Sequence, residues 1–219
     1  MIKEVEMLTH SIFELKGFYI GSLGLSVLND DLSSFSVKVG ESILTFIESQ
    51  PNIKPMYHFA FNIPENKIDE AVRWLTPKVP LILDKGKQIV NFKDWNAHSI
   101  YFNDPAGNLV ELIARHKLNN SINELFSHAS LLCVSEIGLP VLNVEDAIAN
   151  LSHVGMSPWQ EYSHNFAAIG DEQGLLIVVS KGRVWFMSEK ESYPYNLTVK
   201  LDECNITLDD SIGLVIKRL

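Results

Sequence analysis

The sequence predicts an α+β fold assembled from repeated β-α-β-β-β modules. Two observations carry that prediction over the 219 residues: short runs of alternating apolar and polar residues lead into amphipathic stretches, and each is followed by further strands with turn residues between them. The plan then recurs along the chain, as a repeat architecture requires. A hydrophobic share of 46% against 21% charged residues supplies apolar surface for a substantial core, in one large domain or two small ones.

The first module opens with the strand KEVEMLT, in which Val5 and Met7 share one face while Glu4, Glu6 and Leu8 share the other. A helix follows around IFELKGFYIGSLGL. The strands SVLND, SSFSVKV and SILTFIE complete the unit, punctuated by Asn29-Asp30-Asp31 and Gly40-Glu41. The second module starts at YHFAFNIP, where Tyr57, Phe59, Phe61 and Ile63 form a face suited to the helices and His58, Ala60 and Asn62 face away. Pro64-Glu65 suits the start of the helix ENKIDEAVRWL, and ILDKGKQIVNF, HSIYFNDP and GNLVELIAR read as the closing strands. In the last of these, Glu111 lies between Leu109 and Ile113 on one face, where a carboxylate is costly unless paired, protonated or metal-bound.

A third module begins at SEIGLPV, which can be laid on the first strand with Glu136 over Glu4, and it continues through FAAIGDEQGLLIVVSKGRVWFMSE with a hairpin signal at Gly170–Gly174. A fourth begins at YNLTVKL with about 25 residues left, too few for a helix and three strands. It must be truncated. The polar stretch at 117–128 has linker character, so residues 1–116 are expected as two paired modules and 129–219 as a third module with the truncated fourth. The second half is expected to be structural, because Asn196 stands over His58 and no second Asp-Pro-x-Gly-Asn-x-x-Glu run follows.

A formal charge of -9, with acidic and basic residues interspersed, argues against a phosphate-tracking surface and hence against nucleic acid as partner. No apolar run approaches the roughly 20 residues that span a bilayer, and the start MIKEVEM lacks the features of a signal peptide. A cytoplasmic protein without a membrane partner is the expectation, with a homodimer left open. Cys133 and Cys204 have no neighbouring Cys or His at metal or redox spacing and read as structural thiols. Trp95, Trp159 and Trp185 suit either a pocket wall or a core.

The run HSIYFNDPAGNLVELIA resembles the terminal hairpin of vicinal-oxygen-chelate modules, the group of glyoxalase, bleomycin-resistance and extradiol-dioxygenase proteins. In that group an Asp-Pro-x-Gly-Asn turn precedes a strand carrying a metal-ligating Glu, which Glu111 matches. YHFAF resembles the strand whose leading His is a second ligand, matched by His58, and Gly17-Phe18-Tyr19 with Leu23-Gly24 resembles the first helix. The family's spacing puts the first-strand ligand, commonly His, at Glu4, which is a departure. The resemblance covers about residues 1–116 well and the third module less well.

What the resemblance implies is a glyoxalase-like fold in which paired modules curl into cups. It further implies convergence of Glu4, His58 and Glu111 on a divalent ion such as Mn, Fe or Zn, with Glu111 catalytic. Ser99 and Tyr101 resemble the pair that fosfomycin-modifying thiol transferases use on substrate oxygens, although the phosphonate-binding Arg of those enzymes is not matched, since Asn120 stands near its place. The first module's last strand, ESILTFIE, lacks the further carboxylate or amide of four-ligand glyoxalases. The implied function is a metal-dependent enzyme on a small oxygen-bearing molecule, whether lyase, dioxygenase or thiol transferase. A metal-free cup that sequesters a small ligand, as bleomycin-resistance proteins do, is the alternative. The ordinary alternatives for the residues themselves are a hydrogen-bonded core histidine for His58 and an exposed strand acid for Glu4.

Overall fold

The computed structural model describes residues 1–209, 211 and 213–218, and its strands fall into two mixed, curved sheets. The first module supplies β1 (Ile2–Thr9), α1 (Ile12–Lys16) running into a π-helical turn over Gly17–Ser22, β2 (Val27–Asp30), β3 (Ser34–Val39) and β4 (Ser42–Glu48). The second supplies β5 (His58–Ile63), α2 (Ile68–Leu75), the short β6 (Leu81–Ile82) and β7 (Val90–Phe92), then β8 (Ala97–Asn103) and β9 (Leu109–Arg115). The third supplies β10 (Cys133–Val141), α3 (Val144–Ser152), β11 (Phe166–Asp171) and β12 (Gly174–Ser180). The fourth is β13 (Leu197–Leu201), β14 (Cys204–Asp209) and β15 (Gly213–Arg218), with no helix among the described residues between its strands.

The modules pair differently from expectation. One sheet has the order β15-β14-β13-β1-β4-β3-β2 and joins the first module to the fourth; the other has the order β11-β12-β10-β5-β9-β8-β6, with β7 on β8, and joins the second to the third. Residues 1–116 are therefore split between the sheets instead of forming one paired unit. Both junctions are antiparallel, β1 on β13 and β5 on β10, whereas the first and last strands inside a module run parallel. Such junctions need facing edges of similar length, and the alternation of the strands does not say whose edges meet.

Alternation does fix which face is buried. Val5, Met7, Phe59, Phe61, Val110, Leu112, Ile137, Leu139, Leu176 and Val178 point into one continuous core shared by the two sheets and the helices. The sheets are stitched where the β3–β4 turn meets the chain before β10. There the Glu41 amide donates to Leu132 O at 2.8 Å, while the Ser42 hydroxyl donates to Ile2 O at 2.7 Å and accepts from the Val134 amide at 3.0 Å. Gly40 sits at φ +52°, and a Cβ there would stand 1.9 Å from Leu132 O, so no larger residue fits that approach.

Candidate functional site

The opposite face of the second sheet is concave and carries the polar groups. Its central residues are His58 on β5, Glu111 on β9 and Glu136 on β10, all buried, with one ligand-type atom from each lying within 4.8 Å of the others. The parallel register of β5 and β9 sets His58 opposite Leu109 and Ala60 opposite Glu111, which brings the imidazole and carboxylate to the same face. A register shift between Val134 and Glu136, a bulge, turns Glu136 toward them.

The Asp-Pro-x-Gly-Asn turn fixes that register. Asp104 Oδ1 accepts from the amides of Ala106 and Asn108 at 3.0 and 2.9 Å; its Oδ2 accepts from Asn108 Nδ2 at 2.8 Å and from the Tyr19 hydroxyl at 2.9 Å. Asn108 Oδ1 in turn accepts from the Tyr57 amide at 2.9 Å, so the residue before His58 is tied to the residue before Leu109. Burial pushes the Asp104 carboxyl up to about 6 against the pull of those donors. The family-like Phe-Tyr of the first module thus has a physical task, since Tyr19 closes the turn that aligns β9.

His58 Nδ1 lies 3.1 Å from the carbonyl of Leu109, an acceptor only, so Nδ1 carries the proton and Nε2 is left with its lone pair, 3.8 Å from Glu111 Oε2. Burial pushes the imidazole down to about 4, which keeps it neutral at pH 7. Glu111 is pushed up to about 8, first by burial and then by the charge of Glu136, against the smaller pull of Ser99, Tyr101 and Arg115. Tyr101 faces Glu111 across β8 and β9, and its hydroxyl is held protonated by burial and by that neighbour. Ser99 Oγ is fully buried without a well-formed hydrogen bond. Burial also raises Glu136, while Arg115 opposes the rise through a very short Nη2 to Oε1 contact.

Arg115 is itself fully buried at the end of β9. Its Nε donates to Asn62 Oδ1 at 3.2 Å, and its guanidinium lies 5.5 Å from the Trp95 ring and 5.7 Å from the Trp159 ring. Above the carboxylates opens a cavity of about 270 Å³ whose aromatic wall is Phe92, Trp95, Tyr101, Phe166, Trp185 and Phe186. The last two ride on a hairpin after β12 in which Ser192 N donates to Arg183 O and Trp185 N to Lys190 O, while Lys190 Nζ donates to Gly107 O of the Asp104 turn at 2.7 Å. The Trp185 indole seats against Gly138, where a Cβ would come within 2.5 Å of it.

Of the residues expected from sequence, His58, Glu111, Ser99 and Tyr101 share this concave face, and Glu4 does not. Glu4 lies on β1 in the other sheet, where its Oε2 accepts from Lys200 Nζ at 2.9 Å and its Oε1 from Thr45 at 3.2 Å; Glu6 shares the same lysine at 2.7 Å. Lys200 stands directly across the β1–β13 ladder from Glu4. The second carboxylate beside His58 and Glu111 is Glu136, the residue that overlies Glu4 in the repeat. The second half therefore does more than cover sheet edges, since it supplies Glu136, Arg183 and Trp185 to the cavity. The pairs His58–Leu109 and Glu136–Leu175 are equivalent in the two modules, so Ile177 occupies the place that Glu111 has in the second. Ile177 lines the cavity and offers no ligand atom.

No protein-family model matches the sequence, and no curated protein matches it. Among solved structures, the protein named "putative dioxygenase" from Bacillus subtilis subsp. subtilis strain 168 is similar over 81% of this chain at 16% identity and a TM-score of 0.59. This chain spans 63% of that protein's length. Lactoylglutathione lyase from Agrobacterium tumefaciens matches 52% of this chain and 92% of its own at 20% identity, TM-score 0.43. An integron cassette protein from the mobile metagenome of Halifax Harbour sewage outfall matches 52% of this chain and 97% of its own at 24% identity, TM-score 0.46. The two curved sheets of repeated modules and the likeness to the Bacillus protein together give this chain a glyoxalase-like α+β fold.

Proposed function

We propose that this protein is a divalent-metal-dependent enzyme acting on a small oxygen-bearing organic molecule, with His58, Glu111 and Glu136 as the metal-holding residues. The observation that carries the reading is the His58 tautomer: Nδ1 donates to a backbone carbonyl and leaves the Nε2 lone pair facing two carboxylates, as metal-bound imidazoles are arranged. In a tetrahedral or facial set, donors about 2.2 Å from one ion stand about 3.1–3.6 Å apart. The donor atoms lie within 4.8 Å of one another, so binding an ion would draw the widest pair together by about an ångström or more through side-chain rotation. A buried nitrogen and oxygen donor set with open positions suits Mn²⁺, Fe²⁺ or a catalytic Zn²⁺. When bound, such an ion would supply Lewis-acid stabilisation to a substrate oxyanion.

Arg115 changes the charge of the proposed site. One divalent ion and two carboxylates would be neutral; with the guanidinium on Glu136 the set keeps one positive charge and favours an anionic substrate oxygen. Tyr101 and Ser99 stand beside Glu111 as donors toward that oxygen, and the aromatic wall excludes water from it. Lyase, dioxygenase and thiol-transfer chemistry all fit these parts. Calorimetric titration with Mn²⁺ is the test. Wild type should bind with one-to-one stoichiometry, and His58→Ala and Glu111→Gln should not; equal affinity in all three would remove the proposal.

One observation favours a second reading. Arg115 already gives Glu136 a cation, and the raised Glu111 is an acid at neutral pH, so the cavity is electrically complete without metal. A metal-free cup that binds a small molecule would look the same, and the same titration separates the two.

A further inference from the structure

The cavity wall contains a cation that the proposed metal set does not use. Arg183 lines the cavity, and its guanidinium carbon lies over the ring of Phe166, a wall residue, 5.2 Å from the centroid. Among the described residues its side chain has no ion-pair or hydrogen-bond partner, in contrast to Arg115, which has Glu136 and Asn62. Its backbone is nonetheless fixed. Arg183 N donates to Ser180 O at 3.0 Å and Arg183 O accepts from Ser192 N at 2.8 Å, which sets the side chain at the base of the hairpin. Partial desolvation lowers its pKa with no opposing partner. A guanidinium held over a ring with no other partner keeps its N–H donors available, and those donors match a carboxylate.

Size and lining restrict the rest of the ligand. A cavity of about 150 Å³ lined by apolar groups accepts benzene, so about 270 Å³ has room for one substituted ring. The wall here is aromatic: Phe186 makes edge contacts with Phe92 at 5.7 Å and with Tyr101 at 6.0 Å, and Trp185 packs at a tilt on His58 at 5.2 Å. Aromatic walls of this kind favour a flat unsaturated body over a flexible one.

Resting on the reading of this cavity as the binding site, we infer that its ligand is a single-ring aromatic carboxylate, with the ring against the aromatic wall and the carboxylate on Arg183. The donor-only chemistry of guanidinium excludes a cationic ligand at that end. Arg183 is on this view a specificity-determining residue outside the metal set.

The test uses the full chain stripped of metal with chelator and dialysed, and again with Mn²⁺, with tryptophan fluorescence reading the addition of benzoate, benzamide or cyclohexanecarboxylate. Benzoate should bind metal-free protein about tenfold more tightly than benzamide, which tests the charge, and more tightly than cyclohexanecarboxylate, which tests the ring. Arg183→Gln should bring benzoate down to the level of benzamide and leave benzamide unchanged, while Arg183→Lys keeps part of the preference. Unchanged benzamide binding in the Gln variant also shows that the cavity is intact. Equal binding of benzoate and benzamide to wild type, or a preference that survives in Arg183→Gln, overturns the inference. Failure of Mn²⁺ to bind would remove the metal reading alone, since the benzoate-to-benzamide ratio is taken without metal.

Discussion

Glu111 gives the sharpest quantitative expectation. In the metal-free protein its carboxyl is held up to about 8 by burial and by Glu136, whereas in the unfolded chain a glutamate has released its proton well below pH 6. Between pH 6.5 and 8 the native state therefore binds more protons than the unfolded one, and stability falls as pH rises through that window. One proton is worth about 1.4 kcal/mol per pH unit; allowing for partial release near pH 8, the loss is about 1.5 kcal/mol. For a chain of this length that corresponds to a fall in Tm of roughly 3–6 °C. His58, pushed down to about 4, and Asp104, pushed up to about 6, act mainly below this window. The other histidines cancel when wild type is compared with Glu111→Gln, which keeps the shape and removes the titration. Thermal melts in chelator should show the excess slope in wild type and not in the variant. Identical slopes would mean that Glu111 is ionised normally in the native protein, and the account of the site would be wrong.

Glu4→Gln should leave Mn²⁺ affinity within about twofold, whereas Glu136→Gln should weaken it roughly tenfold or more by calorimetry, which separates the structural placement from the family's usual first-strand ligand. Arg115→Met should cost about 3 kcal/mol in urea denaturation because Glu136 is left buried without its cation, and the added change Glu136→Leu should recover much of the loss. Gly138→Ala should cost about 1–3 kcal/mol, since the new methyl would come within 2.5 Å of the Trp185 ring, and should shift the tryptophan emission.

The legible parts of this protein are those set by near neighbours in sequence. Alternation assigned Phe59 and Phe61 to the core and His58 and Glu111 to the other face, and the Asp104 turn marked the strand on which Glu111 sits. The choice between Glu4 and Glu136 was not legible, because it depends on which module edges pair across more than a hundred residues. Both acids open equivalent strands; Lys200 happens to stand opposite one and Arg115 reaches the other. Arg115 ends a strand that is apolar apart from Glu111, and its burial rests on Trp95 and Trp159, which come from two different modules. The role of Arg183 depends on the packing of the hairpin after β12, which strand periodicity does not address.

The nesting of the modules has a consequence for biosynthesis. The sheet that bears the cavity uses strands between His58 and Ser180, so all of them are synthesised before β13, the strand that pairs with β1 on the side away from β4. The contact between Glu4 and Lys200 spans 196 residues, and until it forms the N-terminal module presents the open edge of β1. Long-range strand pairing of this kind is slow because the loop must close before any contact is gained. Glu4 and Glu6, which contribute nothing to the cavity, lie along that waiting edge. Two like charges there discourage pairing with the same strand of another chain, and Lys200 selects the correct one when it arrives.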